Sequence, residues 1–264
     1  MRLLPYFAYV RKCFLNRSAY RFDLFMNILS TCLRIFIFWE IYKALYGGRN
    51  AVDGITMSMV TTNFILSIGL EAAFFTDDYF LPRHIWDGSI STELLRPISF
   101  RGRMLAENLG SVLFQLAFCF IPALLVSVSI MGMYPPVNAG MFCFFFLSAL
   151  LGYGVLWAIS FAVQMTAFWL VNIWSLNTIK TVLINVLSGS MIPLWFMPEW
   201  MREVLRFTPF SSIYFTPVQI YLGQLPIGEI LTRYLVQIFW IVLIFIIGSI
   251  LWDKGQKKLV VQGG

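Results

Sequence analysis

The stretch NLGSVLFQLAFCFIPALLVSVSIMGMYPPVNAGMFCFFFLSALLGYGVLWAISFAVQMTAFWLVNIWSLNTI, residues 108–179, holds no Asp, Glu, Lys or Arg in 72 residues. A helix needs about 20 mostly apolar residues to cross a bilayer. The run therefore has room for two crossings and the beginning of a third. Tyr134, Pro135, Pro136 and Asn138 mark a turn inside it. A second charge-free run covers 234–252.

The whole chain agrees with its centre. Of 264 residues, 59% are apolar, 17% aromatic and only 12% charged. Soluble domains have about twice that charge, and 12% cannot coat a globule of this size. An ordinary soluble protein, a disordered chain and a disulfide-stapled secreted module are excluded. The apolar runs are continuous, without the alternating polarity of a membrane β-barrel. The fold class expected is an all-α polytopic membrane protein. A single transmembrane domain covers 1–264, with six spans near 24–45, 55–76, 108–131, 140–168, 178–197 and 230–252. No cleavable signal peptide is expected, because the basic N-terminus leads into broken apolar stretches.

Counting Lys and Arg orients the spans. With the N-terminus in the cytoplasm, the inner segments hold Arg2, Arg11, Lys12, Arg17, Arg21, Arg83, Arg96, Arg101, Arg103, Lys180, Lys254, Lys257 and Lys258. The outer segments hold Lys43, Arg49, Arg202, Arg206 and Arg233. The excess places both termini inside a cell membrane and favours an even span number. It also accounts for the net charge of +6 without nucleic acid.

Three segments lie outside the spans. Residues 1–20 place Leu3, Phe7, Val10 and Phe14 at helical spacing, with Arg2, Arg11 and Lys12 off that stripe. An amphipathic helix lying on the membrane surface is predicted, as against a basic tail that only sets topology. Residues 76–107 are the most polar segment. In IWDGSISTELLRPIS, 85–99, Asp87-Gly88 signals a turn and Ser89 or Ser91 is placed to cap a short helix. Ile90, Leu94 and Ile98 then form an apolar stripe, and Pro97 limits the helix. Such a stripe needs a partner groove, the membrane surface or its own spans. In the third segment, 198–229, EWMREVLRF (199–207) places Trp200, Met201, Val204 and Leu205 opposite Glu199, Arg202, Glu203 and Arg206. Ser188, Gly189, Pro193 and Pro198 interrupt the fifth span before it. A re-entrant outer hairpin before span six is predicted, since irregular backbone at membrane depth must be buried in protein or line a wet cavity.

Little catalytic chemistry is written in the chain. There is no GxxxxGK[ST] phosphate loop, no GxSxG elbow and no HExxH. Cys13, Cys32, Cys119 and Cys143 have no CxxC spacing and read as small buried hydrophobes. His84 beside Asp87, or Asp77, Asp78 and Asp87 around a divalent ion, are conceivable sites, but a solvated loop explains both. Inside the spans, Arg34 and Glu71 stand out, because a charge near a helix centre costs about 2.5–3.5 kcal/mol and needs a reason. They are expected to pair, as a clamp or as part of a polar pathway. Glu40 and Lys43 make a local pair. Asn63, Gln115, Gln164 and Asn185 are the other intramembrane polar groups noted, each suited to interhelical hydrogen bonding.

The segments 85–99 and LSGSMIPLWFMPEWMREVLRFTPFSSIYFTPVQIYLG, 187–223, together with RKCFLNRSAYRFDLFMNIL, 11–29, resemble the type-2 (ABC-2-like) permeases of ATP-binding cassette exporters. The resemblance runs over essentially the whole chain. It implies a permease subunit, not itself an enzyme, that moves an amphipathic or hydrophobic cargo such as a drug, peptide or lipid. It implies two copies of a separate ATPase carrying ATP and Mg, no cofactor on this chain, and a second permease as homodimer or heterodimer. The matching coupling-helix positions are Asp87, Gly88, Ile90, Ser91, Leu94, Leu95, Arg96 and Pro97. A pathway between the permeases would draw on spans one, two and five, with Arg34, Asn63, Glu71 and Asn185 as candidate lining and Phe64, Phe74 and Phe75 as possible aromatic contributors. The sequence leaves two other readings: a protein that sequesters a membrane-active peptide without transport, and a membrane enzyme using His84.

Overall fold

A computed structural model describes residues 4–259; Arg2 and Leu3 of the expected surface helix lie outside the described residues. Helix α1, Leu4–Ser18, turns at Ala19 and Tyr20 into α2, Arg21–Tyr46. A two-residue hairpin follows, β1 Ala51–Val52 against β2 Ile55–Thr56, antiparallel with Ala51 opposite Thr56. Asp53 and Gly54 both take positive φ at its tip, the primed turn that matches strand twist. This small hairpin is the one amendment to an all-α chain. The Thr56 side chain accepts the Met59 N–H and so starts α3, Met57–Ala73.

Two short helices come next, α4 Phe80–Trp86 and α5 Ile90–Leu94. Ser99 accepts the Gly102 N–H and opens α6, Phe100–Gln115. A π-helical turn, Leu116–Phe120, carries it without a break into α7, Ile121–Met131. Pro122 explains that turn, since it has no N–H for the preceding carbonyl and its ring needs room. Asn138 caps α8, Ala139–Met165, which ends in the 3₁₀ turn Thr166–Phe168. The remainder is α9 Trp174–Leu187, a 3₁₀ turn Leu194–Phe196, α10 Glu199–Leu205, α11 Phe215–Tyr221 and α12 Ile227–Gln256.

Among the described residues, four helical stretches are long and apolar enough to cross a membrane: α2, Phe100–Met131, Ala139–Phe168 and α12. The two other expected spans are shorter, α3 with 17 residues and α9 with 14. Helix α3 occupies the centre. Every residue from Val60 to Leu70 is buried, the polar Thr61, Thr62, Asn63 and Ser67 included, so the helix is surrounded on all sides. Helix α9 stops where Gly189 turns the chain with φ +80, as the Ser188–Gly189 break predicts. α12 packs along α8, α11 also lies on α8, and α1 lies on α6.

The short amphipathic helices have their stripes rotated from the predicted phase. On α1, Val10 and Phe14 face inward as expected, but with Tyr6 and Cys13 against α6, while Phe7 is exposed beside Leu4 and Leu15. On α10, Met201 and Leu205 pack inward, whereas Trp200 and Val204 are exposed. Both pairs are spaced four apart, so they form two adjacent faces rather than one.

Candidate coupling site

Helices α4 and α5 project from one end of the bundle. Asp87 joins them: its Oδ1 accepts the Ser89 N–H at 2.9 Å and the Ser89 hydroxyl at 2.6 Å. These two bonds hold the Asp87 carboxyl below the usual carboxylate range, so the turn stays charged and closed until the pH falls through that lowered value. Ser89 takes the N-cap position but gives its hydroxyl to Asp87, and Ser91 gives its own to the Gly88 carbonyl. Asp87 thus closes the turn ahead of α5, and neither serine caps the helix through its side chain, which corrects the serine expectation.

The predicted stripe of Ile90, Leu94 and Ile98 is also revised. Ile90 is buried in the core, Leu94 is 37% exposed, and the chain leaves the helix before Ile98 can align with them. The exposed apolar groups are Leu95, 85% exposed, and Trp86, 51% exposed, whose indole N–H is tied to the Val171 carbonyl at 2.9 Å. Arg96 and Pro97 are exposed beside them. Beneath, Glu93 is buried and pairs with Arg96 at 3.0 Å and with Arg103, which also holds Glu107 at 2.7 Å. Ile90 and the Glu93–Arg103 pair anchor the segment, while Leu94, Leu95 and Trp86 face outward.

His84 is structural. Its Nδ1 lies 2.7 Å from the Phe80 carbonyl, and its ring packs against Phe80 and Phe100. The acids are dispersed: Asp77 pairs with Arg83, Asp78 with Lys180, and Asp87 with Ser89. Among the described residues no three His, Cys, Asp or Glu gather to hold a metal.

A polar hub ties this end to the bundle. The connection from α3 to α4, 74–79, is gripped from several helices. The Asp77 N–H donates to Asn108 on α6 at 2.8 Å, and Tyr153 on α8 donates to the Phe75 carbonyl at 3.3 Å. The Leu81 N–H donates to Gln164 on α8 at 3.2 Å. Lys180 on α9 reaches Asp78 at 2.5 Å and Ser160 at 3.0 Å, and Ser160 donates to Thr76, which donates to Asp78. The Arg17 guanidinium stacks 3.9 Å over Phe75. Sequence reading treats Asp77 and Asp78 as solvated loop ends and misses this hub. A signal was present, since Lys180 is the sole basic residue between Arg103 and Arg202. A lone charge amid apolar residues needs a partner.

The intramembrane groups are partly brought together. Arg34 and Glu71 make a two-pronged ion pair, 3.0 Å on each arm, joining α2 to α3. Asn63 is wholly buried and donates to the Gly189 carbonyl at 3.3 Å, so it links α3 to the break after α9 and lines no open wall in this conformation. Asn185 is half-buried on α9. Phe64 is buried and stacks with Phe38, and Phe74 packs on Tyr153 and Tyr214.

A fork of this kind between helices predicts mutual dependence. Arg34→Leu and Glu71→Leu should each lower stability by about 1.5–3 kcal/mol. The double variant should lose less than the sum of the two, with a coupling of about 1–2 kcal/mol by thermal unfolding in detergent. Strict additivity would show that the pair contributes nothing.

At the opposite end, α10 and α12 are joined through charge. Glu229 accepts from Arg206 and, at 3.1 Å, from buried Arg233, whose other arm reaches the Arg206 carbonyl at 2.8 Å. Gln237, wholly buried, donates to the Ser148 and Ser212 carbonyls at 3.1 and 2.8 Å. The turn before α11 and helix α12 are thereby fixed onto α8.

Comparison with known families bears on this arrangement directly. A family model described as "ABC-2 family transporter protein" matches residues 24–263. The chain belongs to the ABC-2 transporter family. No curated relative matches it. ABC-2 membership makes the chain a membrane component of an ABC transporter, a permease-type subunit whose engine is an ABC ATPase on a partner. That family needs a surface for the ATPase, and the end bearing α4 and α5 presents exposed apolar groups on a braced segment.

Proposed function

We propose that this ABC-2 protein is the permease half of an ATP-driven exporter for an amphipathic or hydrophobic cargo. Six crossings, with α3 and α9 completing the four long ones, put both termini on the cytoplasmic side. The charge count supports that orientation. Helix α3, about 26 Å long at 1.5 Å per residue, approaches the hydrocarbon thickness. Helix α9 and the hairpin after it share the fifth crossing.

The observation that carries the reading is the contrast within 85–99. Leu95, Leu94 and Trp86 are open to a partner, while Ile90 and Glu93 are locked into the core. Asp87, Gly88, Ser91, Arg96 and Pro97 complete the face offered to the ATPase. Two ATPases carrying ATP and Mg would work with two permeases, identical or sibling. Closure of the ATPases would push on the segment, and the hub would pass the movement to α6, α8 and α9. ATP can drive the switch only by favouring one conformation over the other. Arg34, Asn63, Glu71 and Asn185 are the pathway candidates, on α2, α3 and α9.

The test is a mild-detergent pull-down of the full chain with ATPase activity assayed in the eluate, beside Leu95→Asp. A nucleotide-hydrolysing subunit should come down with the wild type. Placing a charge where an apolar group docks should reduce its recovery at least about tenfold, as expected at an interface centre. A folded chain recovered alone, without hydrolysis, would overturn the proposal and favour sequestration. Turnover by the chain itself, abolished by His84→Ala, would instead favour an enzyme.

A further inference from the structure

The elbow between α1 and α2 encloses a cavity of about 280 Å³ beside α6. Asn16, Arg17, Asp23, Asn27 and Gln115 supply its polar lining. Gln115 is only 6% exposed, and its Oε1 has no hydrogen-bond partner. That oxygen is walled off from the opening, so the charged groups that face a ligand are Arg17 and Asp23. The depth of the cavity follows from the helices around it. Helix α1 lies across α6, and α2 is apolar and long enough to cross a membrane from Arg21 onward. With α2 crossing as proposed, the elbow where they meet lies at the level of lipid headgroups. Below it α2 exposes Phe22, Phe25, Met26 and Leu29, a surface along which acyl chains can lie.

From this we infer a binding site for the zwitterionic headgroup of an ethanolamine phospholipid, with its ammonium on Asp23 and its phosphate on Arg17. The lining carries one carboxylate and one guanidinium, so it is electrically balanced. An anionic headgroup would leave Asp23 opposed, and a cation alone would leave Arg17 opposed. Arg17 stacks its flat face on Phe75, which leaves the N–H edge of the guanidinium available for a phosphate. The Asp23 carboxylate accepts hydrogen bonds. A primary ammonium can donate to it, whereas a quaternary choline group donates nothing. The inference stands apart from the transport reading, since it requires neither an ATPase nor a cargo.

The experiment is thermal unfolding of the purified full-length chain in micelles, titrated with short-chain phosphatidylethanolamine, phosphatidylcholine, phosphatidylglycerol or free phosphoethanolamine. The ethanolamine lipid should stabilise at concentrations about tenfold below those of the other two lipids, a margin typical of one good hydrogen-bonded charge contact. Asp23 is exposed, so Asp23→Asn should leave the fold intact while making ethanolamine and choline lipids equivalent. Equal response to all three lipids, or a preference that survives Asp23→Asn, overturns the assignment. Saturation by free phosphoethanolamine at the concentration of the lipid would mean a soluble ligand and would overturn it as well.

Discussion

Asp78→Ala is expected to destabilise the protein by about 3–5 kcal/mol, the usual cost of stranding a buried charge. The reason lies in Lys180, whose side chain is only 6% exposed on α9. Among the described residues, Asp78 is the single carboxylate paired with it, and Ser160 gives only a neutral hydroxyl. Removing Asp78 leaves an ammonium in a low-dielectric setting. Removing Lys180 is milder, because Asp78 is 23% exposed and keeps the Thr76 hydroxyl. Lys180→Met should therefore cost less than Asp78→Ala. The double variant should recover most of the loss, since nothing charged is left unpaired. Thermal unfolding of the four proteins in one detergent decides it. A single Asp78→Ala variant within about 1 kcal/mol of the wild type would mean that Lys180 reaches solvent.

The same pair carries a functional expectation that rests on the transport proposal. Asp78 belongs to the connection leading into α4 and α5, and Lys180 belongs to α9. A charge-free double variant that folds should still bind its ATPase through Leu95 while passing less of the movement to α9. ATP hydrolysis retained with transport reduced would locate the loss in the linkage. Loss of ATPase binding would place it in the docking face.

The membrane class was legible because charge depletion is a property of composition, and long apolar runs admit few structures. Helix ends were legible where a side chain enforces them, as at Asn138 and at the Ser188–Gly189 break. The pairing of Arg34 with Glu71 was legible because two charges in apolar helices have few alternatives. Other features depend on tertiary placement. Whether α3 meets lipid or protein cannot be read from a run whose few polar groups, such as Asn63, have partners only in the folded chain. The phases of α1, α5 and α10 were misjudged because helices of one to four turns allow adjacent stripes, and packing selects between them. The partner of Lys180 was hidden because Asp78 lies 102 positions earlier in the chain. Its carboxylate looked solvated until the α3–α4 connection folded back among α6, α8 and α9.

Gly152→Ala should be among the most damaging small substitutions in the chain, at about 2–3 kcal/mol. Helix α8 meets the turn before α11 at this residue. A Cβ placed there would lie 2.5 Å from the Ile213 carbonyl oxygen and 3.0 Å from that of Ser212. Both neighbours are backbone, so no side-chain rotation can relieve the contact, and helix and turn must separate. Separation also strains Gln237, which holds Ser148 on α8 and Ser212 in that turn through one amide nitrogen. The damage should therefore exceed that of a surface strain and reach α12. Gly228 provides the control, because a Cβ there meets nothing within 4 Å. In helix α12, Gly228→Ala should be neutral or stabilising by up to about 1 kcal/mol, through helix propensity alone. Equal melting of the two variants would show that α8 and the hairpin can part without loss. The hairpin would then be a loosely held lid, rather than a part of the bundle fixed by Gly152 and Gln237.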